Sequence, residues 1–152
     1  MSVPTSIPVH FSPEILNKIG LADTKGWACA IRDWKHRDDP DLNFGRYVSN
    51  SSGVENTWAW HMHMAPESEN DLRRWDRELR PYHRTSDRLL VYSMADERPM
   101  QYGILLLAFL TPNGHNLLTK GPNAAQRRDD WENIAYTHQA TGQMPAGTFT
   151  EQ

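Results

Sequence analysis

The stretch that most constrains the fold covers residues 58–65 and has the sequence WAWHMHMA. Successive side chains of a β-strand point to opposite faces. The Trp and Met side chains at 58, 60, 62 and 64 are therefore predicted to share one face, with His61 and His63 on the other. One face has the composition of a core. The other carries two titratable imidazoles between small alanines, which leave room for a ligand.

Length and composition indicate one soluble domain. The chain has 152 residues, 38% of them hydrophobic, and this is enough to bury a core. Residues 1–141 are predicted to form the domain, and residues 142–152, rich in Thr, Gly, Pro and Gln, a flexible tail. A cytoplasmic protein is predicted, because Cys29 is the single cysteine and the N-terminal stretch does not look like a signal peptide. No membrane role is predicted, because the longest apolar run covers only residues 104–110. The net charge of -3 weighs against binding nucleic acid through a global positive potential.

The predicted elements favour an α+β fold with a small, antiparallel-rich sheet, N-terminal helices and a C-terminal helix. Ser12 is the expected N-cap of the first helix, with Pro13 at its first position. Hydrophobic periodicity predicts helices at 13–18, 22–36, 67–80 and 123–138, and strands at 44–48, 58–65, 89–94 and 102–110. Loops or turns are expected at 37–43, 49–53 and 95–99. The strand at 102–110, apolar on both faces, is predicted to be central.

This order of elements allows several polar residues to converge on one face of the sheet. They are His61 and His63 on one strand, Arg84 and Asp87 before the next, Tyr92 on it, and His115 after the last. RNA cleavage by its own 2'-hydroxyl needs a base, an acid and a cation for the charge on the phosphate. Histidines titrate near neutral pH, and Arg binds phosphate through two parallel hydrogen bonds. No metal or other cofactor is needed for this chemistry.

The sequence resembles the YafO family of type II toxins, which are similar to the wider RelE-like toxins. The resemblance covers roughly residues 44–135 and rests on the motifs FGR at 44–46, HMH at 61–63, RTSD at 84–87, LVY at 90–92 and PNGHNL at 112–117. It implies a RelE-like toxin fold and a ribosome-associated endoribonuclease that cleaves mRNA. It also implies a cognate antitoxin as partner, besides the mRNA and the ribosome.

The matching positions imply which residues form the site. The expected catalytic residues are His61, His63, Arg84, Tyr92 and His115. The expected RNA-binding residues are Arg46, Thr85, Asp87 and Lys120. The chain departs from the family pattern at Thr111 and Asn116, where basic residues are expected beside the last histidine.

Three other interpretations use the same residues. His61, His63, Glu67 and His115 resemble a fragment of the cupin metal motif, although the spacing of its second half is short by two. A non-catalytic binding protein built on the toxin fold is favoured by the acidic net charge. In a purely structural interpretation the two strand histidines are half-exposed, Arg84 pairs with Asp87 at the surface, and His115 bonds a backbone carbonyl in a turn.

Overall fold

The computed structural model of the protein describes residues 7–36, 44–49, 58–80, 83–93 and 101–152. Its strands are β1 (Val9–Phe11), β2 (Phe44–Ser49), β3 (Ala59–Met64), β4 (Leu89–Ser93), β5 (Ile104–Leu110) and β6 (Phe149–Glu151). Its helices are α1 (Pro13–Ile19), α2 (Thr24–His36), α3 (Glu69–Arg77), α4 (Gly114–Thr119) and α5 (Ala124–Thr141), with a 3₁₀ turn at Leu21–Asp23. The loop predicted at 37–43, most of the turn at 49–53 and the turn at 95–99 lie outside the described residues.

The strands form one six-stranded sheet in the order β2-β3-β4-β5-β1-β6. Neighbours are antiparallel throughout, except that β1 pairs in parallel with β5. This confirms the predicted α+β fold with an antiparallel-rich sheet, and it is consistent with a RelE-like toxin fold. Every residue of β5 is buried between β4 and β1, which confirms that this strand is central. No helix in the described part of the chain is both long and apolar enough to cross a bilayer.

Each face of the sheet is covered by its own hydrophobic cluster. Residues of α1 and α2 pack over the face that contains Met62 and Met64. Residues of α4 and α5 pack over the face that contains Ala59. The alternation predicted for β3 is therefore confirmed within the strand. Trp58 is the exception, because it precedes the strand and packs with Tyr136 of α5, with ring centroids 5.6 Å apart.

Local signals placed the first helix correctly. The Ser12 hydroxyl accepts a hydrogen bond from the backbone N–H of Ile15 at 3.4 Å, and Pro13 occupies the first turn. These contacts supply the cap that the free N–H groups of a helix start require. The helix following residue 67 is shorter than predicted. It begins after Ser68, whose hydroxyl accepts from the backbone N–H of Asp71, and it ends at Arg77.

The prediction of a flexible tail at residues 142–152 is wrong. Residues 149–151 form β6, which pairs antiparallel with β1 at the edge of the sheet. Arg32 of α2 donates to the carbonyl of Glu151 at 2.8 Å, and the hydroxyl of Thr24 donates to its carboxylate at 2.8 Å. The composition of this segment carried no strand signal. Its order comes from a partner strand some 140 residues away and from these two side-chain contacts.

A buried pair of histidines connects β6 to the rest of the fold. His10 of β1 and His138 of α5 lie with ring centroids 5.3 Å apart, and the carbonyl of Tyr102 is 2.6 Å and 3.2 Å from their Nε2 atoms. A carbonyl oxygen only accepts, so both rings carry their proton on Nε2. Their Nδ1 atoms then accept hydroxyl hydrogens, from Thr150 at 2.7 Å and from Ser93 at 3.1 Å. No pattern in the sequence indicated this pair.

Candidate functional site

Three histidine rings lie in a row on the face of the sheet that α4 and α5 cover. The ring centroids of His61 and His63 on β3 are 5.9 Å apart, and those of His63 and His115 are 5.1 Å apart. His61 is 7% exposed and His63 4% exposed, whereas the side chain of His115 is 49% exposed. The row therefore runs from the interior to the surface. The strand histidines are buried and not half-exposed.

His115 is delivered to the site by a tight connection after β5. Asn113 adopts the left-handed conformation with φ 60°, and Gly114 begins α4. The backbone N–H of Gly114 donates to the carbonyl of Asp87 at 2.9 Å. A Cβ atom at position 114 would lie 2.7 Å from that carbonyl oxygen, so only glycine allows this close approach. The structure thus places His115 in the first turn of a short helix that the sequence did not predict.

Asp87 fixes the orientation of the His115 ring. One carboxylate oxygen, Oδ1, accepts from the backbone N–H of His115 at 2.9 Å and lies 2.8 Å from its Nδ1. Because a carboxylate only accepts, Nδ1 carries a proton, and Nε2 is left for other partners. Burial raises the pKa of Asp87, but the hydrogen bonds and charge of His115 outweigh it, so the pKa is lowered overall. His115 therefore bonds a carboxylate and not the backbone carbonyl of the structural interpretation.

Ser86 holds the middle ring of the row. Nδ1 of His63 lies 2.8 Å from the carbonyl oxygen of Ser86 and 2.9 Å from its backbone nitrogen. The Ser86 hydroxyl donates to the carbonyl of Met64 at 2.6 Å, which secures the segment against β3. Ser86 was not predicted as a site residue. The sequence feature that could have identified Ser86 is its position in the RTSD motif, next to Asp87.

Both buried rings are held in the neutral form. Burial, together with the charges of His63 and His115, lowers the pKa of His61 to about 4. Burial also lowers the pKa of His63 to about 4, against the hydrogen bond to the Ser86 carbonyl and with the help of the charges of His115 and Arg46. At pH 7 the row thus carries two neutral imidazoles behind an exposed one.

The predicted cations occupy different environments. Arg46, on β2, is partly exposed and close enough to His63 for its charge to act on that ring. Arg84 is only 3% exposed, and its Nε donates to the carbonyl of Glu78 at 2.7 Å. The carbonyl of Arg84 accepts from the backbone N–H of Arg46 at 2.9 Å. Arg84 is thus built into the junction of α3 and β2, and it is not the surface partner of Asp87.

Tyr92 does not join the histidines. It is fully buried in the cluster on the opposite face of the sheet, with its ring centroid 5.6 Å from that of Trp34. In the register of β3 and β4, Val91 lies opposite His61, and Tyr92 lies opposite Trp60. The predicted convergence of Tyr92 on the histidine face is therefore wrong. All five residues of β4 are buried, so its sequence does not reveal which side chains share a face.

The remaining predicted RNA contacts are at the surface. Thr85 is exposed and lines a pocket of about 360 Å³ between α3 and the segment 83–87. Lys120 is exposed and follows the last residue of α4, at the opposite end of that helix from His115.

The cupin-like arrangement is not assembled. Glu67 is exposed and its carboxylate lies 3.5 Å from a guanidinium nitrogen of Arg88. Within residues 7–36, 44–49, 58–80, 83–93 and 101–152, no group of three or more His, Cys, Asp or Glu side chains is arranged to hold a metal ion. The six-stranded sheet with helices on both faces is also not a jelly roll.

Comparison with known families places the chain in a class of proteins, the toxins of type II toxin-antitoxin systems. The model of the family described as "Toxin YafO, type II toxin-antitoxin system" matches residues 32–140, a span that contains His61, His63, Asp87 and His115. The chain belongs to the YafO toxin family, and this membership implies an antitoxin partner. Searches of curated proteins and of solved structures returned no match.

Burial of Tyr92 leads to a prediction for Tyr92→Phe. This variant is expected to retain the toxicity of the unaltered chain, because the hydroxyl lies on the face of the sheet away from the histidines. Its stability should change by no more than about 1–3 kcal/mol, the usual cost of altering one buried hydrogen-bonding group. Growth after induction and a denaturant unfolding curve check the two statements. A folded Tyr92→Phe variant without toxicity would contradict the placement.

Proposed function

We propose that this toxin is an endoribonuclease that cleaves mRNA, on the ribosome, until its cognate antitoxin neutralises it. The observation that supports this most is the contact of Asp87 with His115, which lies at the exposed end of the histidine row beside the two neutral rings. An orienting carboxylate, a fixed imidazole tautomer and an accessible Nε2 are the parts that proton transfer by histidine requires. Family membership gives the toxin class, and this geometry supports the proposed chemistry.

In the proposed reaction the RNA 2'-hydroxyl attacks the adjacent phosphorus. The bond from O2' to phosphorus forms while the bond from phosphorus to O5' breaks. Nε2 of His115 accepts the proton of the 2'-hydroxyl, and the departing O5' takes up a proton from water. The hydroxide that this leaves takes the proton from the His115 imidazolium, which restores both water and the neutral ring. The products are a 2',3'-cyclic phosphate and a 5'-hydroxyl end. Asp87 stabilises the imidazolium that forms on His115.

The neighbours of His115 suit this step. A second positive imidazole 5.1 Å away would oppose protonation of His115, and burial keeps His63 and His61 neutral. Arg46 is partly exposed and its charge acts on His63, so we assign it the stabilisation of the negative charge that develops on the phosphate. Arg84 acts in this scheme as a positioning residue, because its side chain is held by Glu78.

A second candidate is a binding protein that uses the toxin fold without catalysis. The net charge of -3 and the burial of Arg84 favour it, since both reduce the attraction for RNA. In this case the histidine row is a structural feature, and the chain acts by occupying its target.

Expression of the chain without its partner tests the two candidates. We expect growth arrest, shortened messages, and new RNA ends that carry a 5'-hydroxyl and a 2',3'-cyclic phosphate. The purified protein in a translating extract should give the same ends. In a separate reaction that contains only protein and RNA, EDTA should not prevent any cleavage that is detected. Growth arrest without RNA cleavage would favour the binding protein. Cleavage that yields a 5'-phosphate would overturn the proposed step.

A further inference from the structure

We infer that the pocket between α3 and the segment 83–87 receives one RNA base beside the cleaved phosphate and sets the sequence preference of the toxin. The inference rests on the proposed function, since it supplies a specificity site for that reaction. No residue of α3 was among the predicted RNA contacts.

The pocket has the size and the position for a single nucleotide. Its volume is about 360 Å³, at the low end of the roughly 300–1,000 Å³ of small-ligand sites. Buried Trp75 and Arg84, each 3% exposed, line it together with the exposed Arg74 and Thr85. Buried residues around an exposed opening make a site that is already formed before a ligand arrives.

Two residues connect this pocket directly to the histidine row. Ser86 and Asp87 line the pocket, and the same two residues hold the rings of His63 and His115. A base in the pocket would therefore belong to a nucleotide whose backbone passes His115. No separate conformational change is needed to bring the recognised base and the cleaved phosphate together.

The chemistry of the lining fits the edge of a base better than a phosphate alone. Arg74 offers guanidinium donors, Asp71 offers a carboxylate acceptor, and the Thr85 hydroxyl offers both a donor and an acceptor, whereas Oε1 of Glu78 already accepts from Arg80. A phosphate has acceptors only, and carboxylates would repel it. Unpaired RNA bases display donors and acceptors side by side, and proteins recognise them in single strands through such edges.

Two exposed residues make the inference testable without disturbing the fold. Arg74→Ala and Thr85→Val each remove a hydrogen-bonding group from the pocket, whereas Arg73→Ala is the matched control. Arg73 is the neighbour of Arg74 on α3 and pairs with Glu69 at 3.4 Å, outside the pocket. Cleavage sites are mapped by sequencing RNA ends in a pool of random sequence inserted into a translated message, for the unaltered chain and the three variants.

We expect the unaltered chain to prefer particular bases at one position next to the cut. Arg74→Ala and Thr85→Val should each reduce the ratio of cleavage between favoured and disfavoured bases at that position by about tenfold, as expected for loss of one base contact. Arg73→Ala should keep the ratio. An unaltered chain that cleaves without base preference, or pocket variants with an unchanged ratio, would overturn the pocket while the proposed function stands. Absence of any RNA cleavage by the unaltered chain would overturn the proposed function first.

Discussion

Replacement of His115 by alanine is expected to lower RNA cleavage by about 10²–10⁴-fold, the usual contribution of a positioned acid or base. The ring is the exposed member of the row, and Asp87 orients it through Nδ1. The side chain is at the surface, so its removal should leave the folded structure intact. Cleavage rates of a defined message in a translating extract, with unfolding curves of both proteins, measure the two effects.

Two further variants distinguish a loss of proton transfer from a general loss of folded structure. Asp87→Asn should give an intermediate loss of cleavage, because an amide can present an N–H to Nδ1 and thereby favour the wrong ring tautomer. Asn116→Ala is the control, since Asn116 is exposed and follows His115 on the same helix. If His115→Ala cleaves within threefold of the unaltered chain, His115 is not the proton acceptor, and the proposed reaction fails.

The strand that carries two of these histidines was predictable because its two faces differ. Within β3 the Met side chains enter one core cluster, and His61 and His63 share the opposite face with Ala59. Period-two alternation is reliable where one face is apolar and the other is not. Trp58 does not share the face of the Met side chains as predicted. It lies before the first residue of β3, where the backbone pairing that fixes the alternation has not begun.

Other parts of the site depend on contacts that no local pattern encodes. Tyr92 sits in a strand that is buried on both faces, so the sequence did not specify which face it takes. Asp87 was expected to contact RNA, and only the folded chain shows that its carboxylate holds His115. The strand β6 and its contact with His10 join positions about 140 residues apart, a distance over which composition carries no information on pairing.

The stability of the folded chain is expected to fall steeply as the pH decreases from about 6.5 to 4. Burial and the charge of His10 lower the pKa of His138 to about 4, against the hydrogen bond to Tyr102. His61 and His63 have pKa values lowered to about 4 as well, and the pKa of His10 is also lowered. In the unfolded chain all four histidines regain the ordinary histidine pKa of about 6.5.

The sign of this effect follows from proton binding. Between pH 6.5 and 4 the unfolded chain binds protons that the folded chain does not, so acid shifts the equilibrium toward unfolding. Above pH 6.5 the histidines are neutral in both states, so the free energy of unfolding has its full value. Below pH 4 they are protonated in both states, and the loss is complete. At about 1.4 kcal/mol per pKa unit, His138 alone accounts for a loss on the order of 3 kcal/mol across this window.

Denaturant unfolding at several pH values measures this dependence. The variant His138→Gln should have a shallower dependence between pH 6.5 and 4, because one titrating group is removed from the buried pair, whatever its stability at pH 7. His83→Gln is the matched control, since it makes the same replacement at an exposed position. An unaltered chain equally stable at pH 7 and pH 4.5 would show that the buried histidines do not stay neutral. Equal slopes for His138→Gln and the unaltered chain would show that the acid sensitivity does not come from His138.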